Sequence, residues 1–106
     1  PKLVLILSLH PSALEEAEEA VSWYESQSAG LGMEFLKEFD RVMALIEEYP
    51  LVGPQWPGLD AQGVRKASLA RFPFSVAYVV LESRILILAV AHASRRPGYW
   101  RDRRRG

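Results

Sequence analysis

The chain has 106 residues, 49% apolar and 25% charged, which suits one soluble domain spanning 1–106 with a single core. It has no cysteine, so disulfides, thiolate catalysis and cysteine-bound zinc are excluded. Its formal charge is +0, yet residues 1–60 hold three basic against eleven acidic side chains, while residues 61–106 hold ten against two. That split is information about partners rather than fold. Either an acidic solvated helix face lies beside a basic sheet edge, or the basic end meets an anionic or acidic partner.

Leu3–Leu9 is a short apolar run, expected to form a strand covered on both faces or central in a sheet. It is too short to span a bilayer and no cleavage site follows it, so a cytoplasmic protein is expected, with no membrane partner. Ser12 and Glu15 have the spacing of a capping box. The first helix is therefore predicted from about Ala13 to Ser28, with Ala13, Leu14, Ala17, Ala20, Val21 and Tyr24 as its apolar stripe. Glu15, Glu16, Glu18 and Glu19 read as a solvated face favoured by the helix dipole.

Gly30 and Gly32 supply a stop and a turn. A second helix is predicted from about Met33 to Tyr49, ended by Pro50, because the residue before a proline avoids helical geometry. So short a turn makes the pair an antiparallel helix hairpin. The loop 51–63 carries Trp56 and reads as a cover over the core. Three strands follow, at Val64–Arg71, Phe74–Leu81 and Arg84–Ala91, joined closely enough for an antiparallel meander. The expected fold is α+β, in the order β-α-α-β-β-β, with the helix hairpin on one face of a mainly antiparallel four-stranded sheet. The other face is expected to be partly open.

The chemistry is sparse. His10 and His92 are the only histidines and neither has a partner at ligand spacing, so no metal and no cofactor are expected. No glycine-rich phosphate loop or nucleophile elbow is present. The basic, aromatic end stands apart: His92, Arg95, Arg96, Tyr99, Trp100 and Arg101 follow the last strand, while Arg65, Lys66 and Arg71 lie on the first strand of the meander. The first and third meander strands run the same way, so Arg71 and the end of the third strand share one end of the sheet. Arginine pairs with phosphate or carboxylate and stacks on rings. Such a surface suits nucleic acid or a protein hot spot. For residues 101–106 the alternative is a disordered, solubilising tail. For Tyr99 and Trp100 it is packing over the open sheet edge.

Ala20-Val-Ser-Trp-Tyr-Glu, Gly30-Leu-Gly-Met-Glu-Phe, Glu48-Tyr-Pro, Val64-Arg-Lys, Leu69-Ala-Arg-Phe-Pro-Phe and Ala89-Val-Ala-His-Ala-Ser-Arg-Arg-Pro-Gly-Tyr-Trp occur in this order. Across nearly its whole length the chain resembles the RelE/ParE superfamily of bacterial type II toxin–antitoxin toxins, and is closer to the ParE-like, plasmid-stabilisation branch. The resemblance implies a toxin held by a cognate antitoxin. ParE-like members inhibit DNA gyrase without hydrolysing nucleic acid. RelE-like members cut mRNA on the ribosome, which would place Arg65, Arg71 and Arg95 as charge stabilisers and His92 or Tyr99 in acid–base roles. The ending Arg95-Arg-Pro-Gly-Tyr-Trp favours gyrase inhibition, through Arg65, Lys66, Arg71, His92, Arg95, Arg96, Tyr99, Trp100 and Arg101. A ribosome-dependent endonuclease acting on mRNA, or a non-toxic interaction module, are the alternatives.

Overall fold

The sheet is mixed, with strand order β1-β4-β3-β2 in a computed structural model that describes residues 5–58 and 63–105. The expected strand start at Leu3 and Val4, loop positions 59–62, Gly106 and the side chain of Arg105 lie outside the described residues. The elements are β1 (Ile6–Leu9), α1 (Pro11–Gln27), α2 (Leu31–Glu48), β2 (Arg65–Ser68), β3 (Phe74–Val80), β4 (Arg84–His92) and a terminal 3-10 turn (Arg101–Arg105). β1 pairs parallel to β4, while β2, β3 and β4 form the antiparallel meander. Among the described residues no helix is long and apolar enough to cross a membrane.

β1 is an edge strand, neither central nor covered on both faces. Leu5, Leu7 and Leu9 alternate onto the core under the helices, and Ile6 points away, 70% exposed. α1 starts earlier than a Ser12 cap would place it. Pro11 takes the first helical position, where its fixed φ fits and its missing N–H costs nothing. The cap is His10, whose Nδ1 accepts the Ser12 N–H at 3.0 Å and whose own N–H donates to the Ile87 carbonyl. The expected box with Glu15 is replaced by this imidazole.

Between the helices, Gly30 takes φ +89°, a conformation that favours glycine. Glu25 reaches across the turn and accepts the N–H groups of Gly30 and Gly32, serving the exposed start of α2. A Cβ on Gly32 would sit 2.6 Å from the Val21 carbonyl, so that glycine sets the close approach of the helices. Ala13, Ala17 and Ala20 of α1 and Phe35, Phe39, Val42 and Ile46 of α2 close over Val76, Tyr78, Ile85, Ile87 and Val90 of the sheet. Apolar burial of this kind supplies about 25 cal/mol per Å².

The opposite sheet face is closed as well. Trp56 from the loop after α2 and Trp100 from the C-terminal segment pack over Ala77, Val79, Leu86, Leu88, Ala89 and Ala91. Expecting this face to be partly open was an error, and β4 shows why. All seven residues from Ile85 to Ala91 are buried, the mark of a strand that needs cover on both sides. A bulge accommodates the run: Ala77 pairs with Ala89 and Tyr78 with Ile87, leaving Leu88 as the extra residue. The bulge shifts the alternation, so Leu88 and Ala89 share the second face and Val90 returns to the helix side.

The loop is fastened from below by Tyr78. Its hydroxyl donates to the Pro50 carbonyl at 2.8 Å and accepts the Gly53 N–H at 3.0 Å. Tyr78→Phe leaves both backbone groups unpaired and is expected to cost about 1–3 kcal/mol, read as a lower urea midpoint at unchanged slope.

Candidate functional site

The C-terminal segment is built on a tight turn. Tyr99 N–H donates to the Arg96 carbonyl across Pro97 and Gly98, and Gly98 has φ +84°, the residue pattern of a type II turn. The turn presents Arg95, Arg96 and Arg101 to solvent and drives Trp100 inward, where it is 1% exposed. Trp56 and Trp100 meet edge to face with centroids 4.4 Å apart. Trp100 is thus a core residue and offers no surface to a partner.

Tyr99 is half-buried. Its hydroxyl donates to Glu16 Oε2 at 2.7 Å, and the Arg95 guanidinium lies 4.0 Å from its ring centroid. Burial first, then the Glu16 carboxylate, pushes the phenol well above its ordinary range, so it remains a protonated donor. Arg101–Arg105 make the 3-10 turn. Arg103 within it donates Nη1 to Glu16 Oε1 at 2.9 Å and to the Leu88 carbonyl at 3.0 Å, and Nη2 to Glu16 Oε2 at 3.1 Å. Glu16 Oε1 also accepts the Val90 N–H at 3.0 Å. β1 has ended at this level, so side chains serve the β4 backbone around its bulge.

The remaining candidates divide. Arg65 donates to the Leu51 and Gly53 carbonyls and ties the loop to β2. Arg71, at φ +72°, pairs with Glu34 of α2 at 2.9 Å and leans toward the helices. His92 is exposed, with its ring edge-on to Phe74. Its Nδ1 accepts the Ser94 N–H at 3.0 Å and lies 2.8 Å from Ser94 Oγ. Lys66 stands 5.0 Å over the Trp56 ring. Lys66, His92 and Arg95 share the rim of a cleft of about 280 Å³ between Trp56, Ser75 and Trp100. Among the described residues, Lys66, Arg95, Arg96 and Arg101 have no ion-pair partner. The structure therefore gathers Lys66, His92 and Arg95 beside Arg96 and Arg101. It leaves Arg65 at the far end of β2 and Tyr99 against α1.

A second concavity lies on the other side of the molecule. Leu14, Ala17 and Val21 of α1 with Phe35, Leu36 and Phe39 of α2 line an apolar groove of about 490 Å³, with Glu18 on its rim. No group of three or more His, Asp or Glu side chains among the described residues could hold a metal ion.

The family described as ParE toxin of type II toxin-antitoxin system, parDE, matches residues 7–97. The chain belongs to the ParE toxin family. Among solved structures it is similar to a chain described as "Chromosomal ParDE TA system from P. aeruginosa", with 21% identity, a TM-score of 0.66, and coverage of 84% of this chain and 96% of that one. At that identity the likeness speaks for the fold, two helices against a four-stranded mixed sheet. No curated protein matches the chain. The family match ends at Pro97, so Tyr99, Trp100 and Arg103 lie beyond it in this ParE-family chain.

Three residues of this site escaped the sequence reading. Glu16 was assigned to a solvated face, although it sits at helical spacing within the Ala13, Ala17, Ala20 stripe, where an acid signals an inward partner. Arg103 was grouped with its neighbours as tail. Trp56 is expected only as part of a loop covering the core, and no local signal pairs it with Trp100.

Proposed function

We propose that this ParE-family chain is a toxin that acts in the cytoplasm and inhibits DNA gyrase by binding, without cutting nucleic acid itself. The target-facing groups are Lys66, His92, Arg95, Arg96 and Arg101, while Arg71 is turned to Glu34, and Arg65, Tyr99 and Trp100 support the surface from within the fold. The observation that carries the reading is the set of exposed cations on and beside the Pro97–Gly98 turn that have no ion-pair partner among the described residues. A cationic rim over this narrow cleft suits a partner rich in phosphate or carboxylate. The cognate antitoxin is assigned to the apolar groove between α1 and α2, whose size and acidic rim fit an amphipathic helix with basic flanks.

The competing reading is mRNA cleavage on the ribosome. Lys66, His92 and Arg95 on one cleft favour it. The other groups it needs are engaged elsewhere: Arg65 by loop carbonyls, Arg71 by Glu34, and Tyr99 by Glu16 in a form reluctant to give up its proton. Purified chain added to gyrase is expected to block supercoiling, and added to a translation reaction to leave message intact. Message cut at the ribosomal A site with supercoiling untouched would replace the proposal by the second reading. No effect in either assay would leave an interaction module.

A further inference from the structure

The contacts of Glu16 exceed what a helix-surface acid needs. Oε1 accepts from the Val90 N–H and Arg103 Nη1, and Oε2 accepts from the Tyr99 hydroxyl and Arg103 Nη2, all between 2.7 and 3.1 Å. The carboxylate is 14% exposed and Arg103 18%. Two of its partners, Tyr99 and Arg103, flank Arg101, and the Tyr99 ring in turn carries the Arg95 guanidinium. One side chain of α1 therefore holds the C-terminal arm of the turn directly and the N-terminal arm through the Tyr99–Arg95 contact.

We propose that Glu16 is a positioning residue for the target-binding surface: it acts through Tyr99 and Arg103 to hold the cationic turn in its working geometry. The inference rests on the toxin reading above. The segment has two independent fastenings. One is apolar, Trp100 seated against Trp56 and the sheet. The other is polar and centred on Glu16. Cutting the polar fastening leaves Trp100 in place, so the domain stays folded while the turn loses its fixed aim. Glu16 also lies about 200° around α1 from Leu14 on the groove, at about 100° per residue, so the groove is left intact. A preorganised surface binds better than a mobile one because less ordering is needed on contact.

The test uses the full chain in three versions. Glu16→Gln keeps the size and one carbonyl acceptor. Arg103→Met removes the guanidinium and leaves Glu16 to Tyr99 and Val90. Tyr78→Phe is the stability control, since its hydrogen bonds lie at the loop after α2. Glu16→Gln and Arg103→Met are expected to melt within a few degrees of Tyr78→Phe. Their amides from Arg95 to Arg103 should exchange about tenfold faster than wild type, and about tenfold more expression should be needed for growth arrest. Tyr78→Phe should arrest growth as wild type does. Full arrest by folded Glu16→Gln, or an equal loss in Tyr78→Phe, would overturn the inference. Growth arrest reads toxicity whatever the target, so it does not depend on gyrase. A wild-type chain that leaves growth untouched rejects the toxin reading instead. Exchange over the turn then decides alone, and unchanged exchange in Glu16→Gln overturns the positioning role.

Discussion

Trp100→Ala is expected to lower stability by about 3–5 kcal/mol, a large share of the 5–15 kcal/mol that holds a typical domain together. The indole is 1% exposed, meets Trp56 at 4.4 Å and Tyr99 at 5.1 Å between centroids, and covers the second face of β4. Its removal leaves a cavity that the neighbouring sheet is too stiff to fill. Trp100→Phe should cost far less, because a ring still fills the site and the indole N–H, buried with no hydrogen-bond partner among the described residues, is gone. Urea unfolding of the two variants separates the cases. Equal small losses would mean that the indole is not part of the core. For the same reason Trp100→Ala is a poor probe of function, since lost toxicity would report lost fold.

Reversing the charges of the turn should do the opposite, removing function and leaving the fold. Arg95, Arg96 and Arg101 are exposed and have no carboxylate partner among the described residues, so R95E/R96E/R101E is expected to change stability by about 0.5 kcal/mol for each exposed site or less. Some of that comes from the Arg95 contact with Tyr99. Growth arrest should fall by about 100-fold or more, because an attractive surface becomes a repulsive one and steering changes sign. The measurement is expression-titrated growth beside the melting curve of the purified variant. Undiminished arrest in the folded triple variant would move the working surface elsewhere on the molecule.

The order of elements could be read because its signals are local. Gly30 and Gly32 mark the hairpin turn, Pro50 ends α2, Pro73 separates the first two meander strands, and the apolar stripes of α1 and α2 have helical period. The His10 cap was missed because a capping box at Ser12 and Glu15 competes for the same helix start, and the imidazole wins only once Pro11 has taken the first position. The closed second face was available in principle: Ile85–Ala91 is apolar at both parities, which a half-open sheet does not require. The two covers were legible only separately, the loop of Trp56 as a cover and Trp100 as one alternative over the sheet edge, because Trp56 and Trp100 meet only through the third dimension. The candidate site was half legible for the same reason. The Pro97–Gly98 turn and its arginines are written in sequence, whereas the partners of Glu16 span from Val90 to Arg103 and depend on a bulge that no propensity predicts.

The chain has three tryptophans, and their fates differ sharply in this account: Trp23 is 57% exposed, Trp56 7% and Trp100 1%. Mild oxidation of the native protein, read by peptide mass spectrometry, interrogates the sealed face directly. Trp23 should be modified at the rate of a free indole, while Trp56 and Trp100 stay unmodified until the chain unfolds. Oxidation of Trp100 as fast as Trp23 in the folded protein would contradict the seal, and with it the assignment of the exposed arginine turn as the working surface.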